Sequence, residues 1–167
     1  MRTRPFGALV VLALCTSMVG ARTSQAQWTL GGYLGKTFET KDWFLVGTEA
    51  RVLLPNSPWM LNPRVTYHPY DGGWDLQVDA NLLFHFEPSY SGYVSPYVGI
   101  GGALILVSPD QGESDTKVAM NIVSAVRFRA PGSWPMEPYV SMQYTFAPSI
   151  SNIYQLVFGL AWTLGGP

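Results

Sequence analysis

The sequence predicts an all-β protein, an eight-stranded antiparallel up-and-down transmembrane β-barrel. Three observations carry this. Apolar residues alternate with small or polar ones at period two in eight segments. The segments run about ten residues, the length of a tilted membrane crossing. A stretch with the features of an export signal precedes them.

The alternation is cleanest in the last segment. Tyr154, Leu156, Phe158, Leu160, Trp162 and Leu164 form one face, and Gln155, Val157, Gly159, Ala161 and Thr163 the other. The eight strands are read at Trp28–Phe38, Trp43–Leu54, Met60–His68, Trp74–Glu87, Ser95–Val107, Thr116–Arg129, Glu137–Phe146 and Ile153–Leu164. In the fourth, Trp74, Leu76, Val78, Ala80, Leu82, Phe84 and Phe86 oppose Asp75, Gln77, Asp79, Asn81, His85 and Glu87. In the second, Phe44, Val46, Ala50 and Val52 oppose Gly47, Glu49 and Arg51. In the sixth, Val118, Met120, Ile122, Val126 and Phe128 oppose Lys117, Asn121, Arg127 and Arg129. Pro63-Arg64-Val65, Pro96-Tyr97-Val98 and Pro138-Tyr139-Val140 recur near the starts of odd strands. Proline donates no ladder hydrogen bond, so strand starts suit it.

Residues 1–26 read as a secretory signal peptide, 27–164 as the barrel and 165–167 as a C-terminal tail. Arg2 and Arg4 precede the apolar stretch Phe6–Val19, and cleavage follows Ala26, with Ala21 as the alternative. The lone cysteine, Cys15, falls in that stretch after Leu14, so no disulfide is expected in the exported chain. Losing Arg2, Arg4 and Arg22 takes the ten basic residues to seven against eleven acids, a net of −4. No basic patch remains, which argues against nucleic acid. The longest apolar run, Val98–Val107, is ten residues, too short for a membrane helix. Aromatics at 14% outnumber charges at 13%, a balance that suits a barrel with aromatic girdles.

An alternating barrel has two readings. A soluble lipocalin-like binder puts the apolar face inside, around a ligand. A membrane barrel puts it against lipid. Small residues on the other face (Gly31, Gly35, Gly47, Gly99, Gly101, Ala103, Gly159, Ala161) favour the membrane barrel, whose eight-stranded lumen has room only for side chains. Charge on that face balances, with Glu49, Asp75, Asp79, Glu87 and Glu137 against Arg51, Arg64, Lys117, Arg127 and Arg129. A dry lumen needs such balance, because an unpaired buried charge costs several kcal/mol. Aromatics also sit at both strand ends: Trp28, Phe86, Phe128 and Trp162 at one, and Phe38, Phe44, Trp74, Phe146 and Tyr154 at the other.

With these strands, with Ser95-Pro96-Tyr97-Val98-Gly99-Ile100-Gly101-Gly102, and with its last strand, the chain resembles the small outer-membrane β-barrel superfamily of diderm bacteria, the OmpA/OmpX-like eight-stranded barrels. The resemblance covers residues 27–164. Gly159, Trp162 and Leu164 match the family's terminal assembly signal, while Val157 stands at its polar position. The resemblance implies an outer-membrane location, outer-membrane lipid as surroundings, the barrel-assembly machinery as a partner in biogenesis, a monomer and no cofactor. It also implies that both termini and the turns Leu54–Trp59 and Ala130–Met136 face the periplasm, with Ser108–Asp115 outside.

Chemistry is sparse. His68 and His85 both fall on the lumen face, and His68 could meet Asp75 across the third and fourth strands. No serine motif completes a lipid-hydrolase set. No metal-ligand cluster is evident, and the acidic run Asp110–Asp115 lacks the spacing of a calcium loop. The expected function is therefore a non-enzymatic envelope or surface-contact barrel with a packed lumen. A lipocalin-like binder, a lipid-modifying enzyme and a narrow solute channel are the alternatives.

Overall fold

The computed structural model of the chain describes residues 27–38, 43–86, 93–110, 112–129, 136–147 and 152–164. The expected signal peptide, Glu87 and the tail 165–167 lie outside the described residues. The strands are β1 (Gln27–Phe38), β2 (Phe44–Leu53), β3 (Trp59–Tyr70), β4 (Gly73–His85), β5 (Val94–Pro109), β6 (Asp115–Phe128), β7 (Met136–Phe146) and β8 (Ile153–Leu164). Each bound lies within two residues of its expected place. All neighbours are antiparallel and consecutive, and β1 pairs with β8 from Trp28↔Leu164 to Phe38↔Tyr154, closing the barrel. Closure removes the free edges that an open sheet leaves.

The period-two pattern divides inside from outside. Leu34, Phe44, Ile100, Val118, Met120, Ile122, Phe158 and Leu160 all point outward, each more than half exposed. The aromatics Phe38, Phe146 and Tyr154 lie outward at one end, and Phe86, Phe128 and Trp162 at the other. An apolar surface this continuous is far larger than a soluble monomer tolerates. The side chains inside are Glu49, Arg51, Arg64, Gln77, Asp79, Asn121, Gln143 and their neighbours. The inside-out, lipocalin-like arrangement is therefore overturned, because the polar parity faces the lumen.

Lumen glycines are spaces for bulky neighbours. Tyr33 is the register partner of Gly47 on β2 and of Gly159 on β8, and Tyr139 also faces Gly159. A Cβ at Gly47 would enter the Tyr33 ring, and one at Gly159 the Tyr139 ring. Gly101 similarly makes way for Asn81, and Gly99 for Leu83.

Pro63 departs from its expected place. It is the fifth residue of β3, not a strand start. The β2–β3 ladder stops after Glu49↔Arg64 and resumes at Val52↔Leu61, so the gap spans Pro63. Proline has no N–H to give there. The Asn62 side chain supplies a substitute, donating from Nδ2 to the Ala50 carbonyl at 3.0 Å.

One end of the barrel carries the start of β1 and the close of β8; we call it the near end. The far end carries the two-residue turn Asp71-Gly72, where Gly72 takes φ 96°. Left-handed backbone of that kind favours glycine.

The packing yields a contrast. Gly159→Ala forces the Tyr139 ring aside and should cost about 1–3 kcal/mol, the range for overpacking. At outward-facing Gly32 an added Cβ meets only the Gly47 carbonyl oxygen, at 3.9 Å. Gly32→Ala should therefore shift stability by no more than about 0.5 kcal/mol. Urea unfolding in detergent, followed by gel mobility, checks both; equal effects would reject the close-fit account.

Candidate functional site

The lumen holds the chain's concentrated chemistry, in three levels. At the near end, Arg127 Nη1 lies 3.1 Å from Glu137 Oε2, and Arg129 Nε lies 3.5 Å from Glu137 Oε1. The Arg129 side chain is 49% exposed, so this pair opens toward solvent.

Deeper in, Glu49 sits between two guanidiniums. It pairs directly with Arg51, and its Oε2 faces Arg64 Nε at 3.8 Å. Asn62 Nδ2 donates to the same oxygen at 3.2 Å. Both arginines are only 2% exposed. Their flat faces are covered by rings: Arg51 lies 4.2 Å from the Tyr139 centroid and 5.1 Å from that of Tyr97, and Arg64 lies 4.5 Å from that of Tyr33. Guanidinium is weakly hydrated and stacks on aromatic faces, which is why arginine rather than lysine suits this level. The Tyr33 hydroxyl shares a 2.6 Å hydrogen bond with Thr66.

Toward the far end the network turns to amides. Arg64 Nη1 donates to Gln143 Oε1 at 2.7 Å, and Gln143 Nε2 donates to Asp79 Oδ1 at 3.3 Å. The same Asp79 oxygen accepts from Gln77 at 2.6 Å and Asn121 at 2.7 Å. Gln155 Nε2 then bridges Gln77 Oε1 at 3.0 Å and His68 Nε2 at 3.1 Å. Ion pairs link Arg51, Glu49 and Arg64, and hydrogen bonds continue from Arg64 through Gln143, Asp79, Gln77 and Gln155 to His68. Donors on the carboxylate offset the cost of burying its charge.

The ten charged residues expected in one network do not all meet. Glu49, Arg51 and Arg64 are in contact, Asp79 joins through Gln143, and Glu137, Arg127 and Arg129 form a second group. Lys117 pairs with exposed Asp115 at the far rim instead of a lumen carboxylate. It lies near the start of β6, where a long side chain reaches water. Asp75 is the register partner of His68, yet His68 bonds to Gln155. The sequence reading puts Gln77, Asn121 and Gln155 on the lumen face without making them connectors, and it leaves out Asn62, Gln143 and Thr145 and the rings Tyr33, Tyr97 and Tyr139. Strand parity held the clue: Glu137, Tyr139, Ser141, Gln143 and Thr145 share one face of β7 and are all buried.

Comparison with solved structures places this architecture. Neisserial surface protein A aligns with TM-score 0.65 at 12% identity, covering 83% of this chain and 97% of its own. The N-terminal barrel domain of Pseudomonas aeruginosa OprF aligns at 0.62 and 13%, covering 84% and 100%. The chain has the fold of the small eight-stranded outer-membrane barrels. The outer membrane enzyme PagL shares it at TM-score 0.51 and 12% identity, covering 81% and 99%. No protein-family model matches the chain, and no curated protein matches it in sequence. Within this barrel fold Gly159 has a packing role beside Tyr33 and Tyr139, whereas Trp162 and Leu164 face outward, each about half exposed.

The two ion-pair groups should respond differently to mutation. Glu49→Ala leaves Arg51 and Arg64 without their shared carboxylate, and should cost about 3–5 kcal/mol. Arg127→Ala should cost less, since Arg129 still reaches Glu137 near solvent. Denaturant midpoints in one detergent compare the two; an Arg127→Ala cost as large as that of Glu49→Ala would overturn the ranking.

Proposed function

We propose that the chain is a non-enzymatic integral outer-membrane protein whose lumen is plugged, with a structural or surface-contact role in the envelope. The observation that carries this reading is the pairing of an apolar outer wall with a lumen bridged from Arg51 to His68 by bonded side chains. Lipid is the solvent that such a wall fits. The similarity to outer-membrane barrels supports the same location.

In this reading both termini face the periplasm, so the near end is periplasmic and the Asp71-Gly72 turn is outside. Gly159, Trp162 and Leu164 serve recognition by the barrel-assembly machinery, and the protein works as a monomer in outer-membrane lipid. The enzyme reading draws on PagL, but a fold does not carry an activity with it. His68 is bonded to an amide, with no serine in the described hydrogen bonds to act as its nucleophile.

Cell fractionation tests the proposal. The protein should be recovered with the outer membrane and run at different gel positions with and without boiling. Liposomes containing it should hold small solutes as well as empty ones, and overexpression should leave the lipid profile unchanged. Recovery from the periplasm without detergent would reject the location. Solute leakage would reject the plug, and altered lipid would reject the non-enzymatic role.

A further inference from the structure

We propose that Lys36, with Tyr154 and Tyr144 beside it, holds the headgroup phosphate of an anionic lipid against the outer wall near the far end of the barrel. The inference rests on the envelope reading above and adds to it a ligand class and a place. Lys36 is exposed and shares its face of β1 with Leu30, Leu34 and Phe38, whereas Tyr33 and Thr37 on the other face are buried. Among the described strand residues, Lys36 is the one Asp, Glu, Lys or Arg with outward parity. Asp115 and Lys117 at the far rim keep the parity of the lumen.

The rings around Lys36 set its height. It pairs with Phe44 on β2 and with Leu156 on β8. Two residues further along β1, Phe38 pairs with Tyr154, which in turn pairs with Tyr144 on β7. The Tyr144 and Tyr154 rings lie 4.7 Å apart. An aromatic belt of this kind marks the headgroup level of a bilayer. The Lys36 ammonium lies 5.9 Å from the Phe38 ring centroid, so the side chain reaches along the wall toward the strand end and away from the hydrocarbon. A cation facing lipid in mid-bilayer is costly, and most of that cost disappears near the interface.

The chemistry at that level suits a phosphate. The ammonium brings positive charge and three donors, so a phosphate oxygen can join the groups of the protein that it already meets. Tyr154 is a diagonal cross-strand neighbour of Lys36, and the hydroxyls of Tyr154 and Tyr144 add donors on rings whose apolar bodies suit acyl chains. Among the described strand residues no carboxylate has outward parity to repel an anionic headgroup. The outward belt at the near end, with Trp28, Trp59 and Trp162, has no ionic side chain among them, so the wall is electrostatically one-ended. Leu34, Phe44 and Phe158 close by are each about half exposed. Acyl chains would cover them and a free phosphate ion would not, which favours a lipid as the source.

The test uses the purified, folded full-length barrel, stripped of lipid in detergent. It is titrated with phosphatidylglycerol and, separately, with phosphatidylcholine of the same acyl chains, and bound lipid is counted by native mass spectrometry. Phosphatidylglycerol should bind more tightly, and inorganic phosphate at the same concentration should not displace it. Lys36→Gln should weaken phosphatidylglycerol about fivefold, the share of one interfacial cation, and leave phosphatidylcholine unchanged. Lys36→Arg keeps the charge and should keep the preference. So should Lys117→Gln, which removes a cation paired with Asp115 at the rim. Equal binding of the two lipids, or a preference that survives Lys36→Gln, would overturn the proposal and leave the membrane barrel standing. Displacement by inorganic phosphate would overturn it as a free-anion site, and loss of the preference in Lys117→Gln alone would overturn it as a rim site. Recovery of the protein from the periplasm without detergent would instead overturn the envelope reading. Heat-dependent gel mobility identifies folded variants. Where a variant does not fold, a headgroup photocrosslinker on phosphatidylglycerol decides with the wild type: labelling of β1 or β8 beside Phe38 and Tyr154 supports the site, and labelling elsewhere rejects it.

Discussion

Closure of β1 onto β8 is the constraint on which everything else in this molecule rests. A backbone in hydrocarbon has no water to bond, so each strand must be paired on both sides. Meeting that demand with eight strands leaves a lumen only wide enough for side chains. Every inward residue is then judged by its neighbours: a tyrosine needs a glycine beside it, and a charge needs a partner. The pairs Tyr33 with Gly47 and Gly159, and Tyr139 with Gly159, follow from this crowding.

The charged level shows how the crowding is resolved electrostatically. One carboxylate, Glu49, serves two buried guanidiniums, and tyrosine rings cover the arginine faces that the carboxylate does not reach. Asp79 is handled the opposite way. It accepts hydrogen bonds from neutral amides, and its hydrogen-bonded link to its register partner Arg64 runs through Gln143. Arg51, Arg127 and Arg129 thus lie toward the near end with Glu49 and Glu137, while Arg64 and the amide-held Asp79 are register partners on β3 and β4.

Much of this was legible in the sequence, and the failures are physical. Period two identifies the face of each residue, which is why Glu49, Arg64, Asp79 and Gln155 were correctly placed inside. Period two says nothing of height along the barrel axis. Lys117 and Arg129 have lumen parity but sit at the rims, where they meet Asp115 and Glu137. Height depends on the stagger between strands, which a single sequence does not display. Gln143 and Asn62 escape the sequence reading for another reason: counting charges does not detect neutral residues that relay between them. The expected start-of-strand role of Pro63 failed because a side-chain amide compensates for its missing N–H in mid-strand.

Asn62 gives that compensation a wider meaning. The same amide nitrogen that reaches the Ala50 carbonyl also reaches Glu49. The wall of the barrel and the salt-bridged interior are therefore fastened by one atom at this seam. A disturbance of charge on Glu49 is felt by the backbone joining β2 to β3, and a loosening of that seam is felt by Arg51 and Arg64. Lumen side chains and wall are joined there, so the interior acts as a structural member of the barrel.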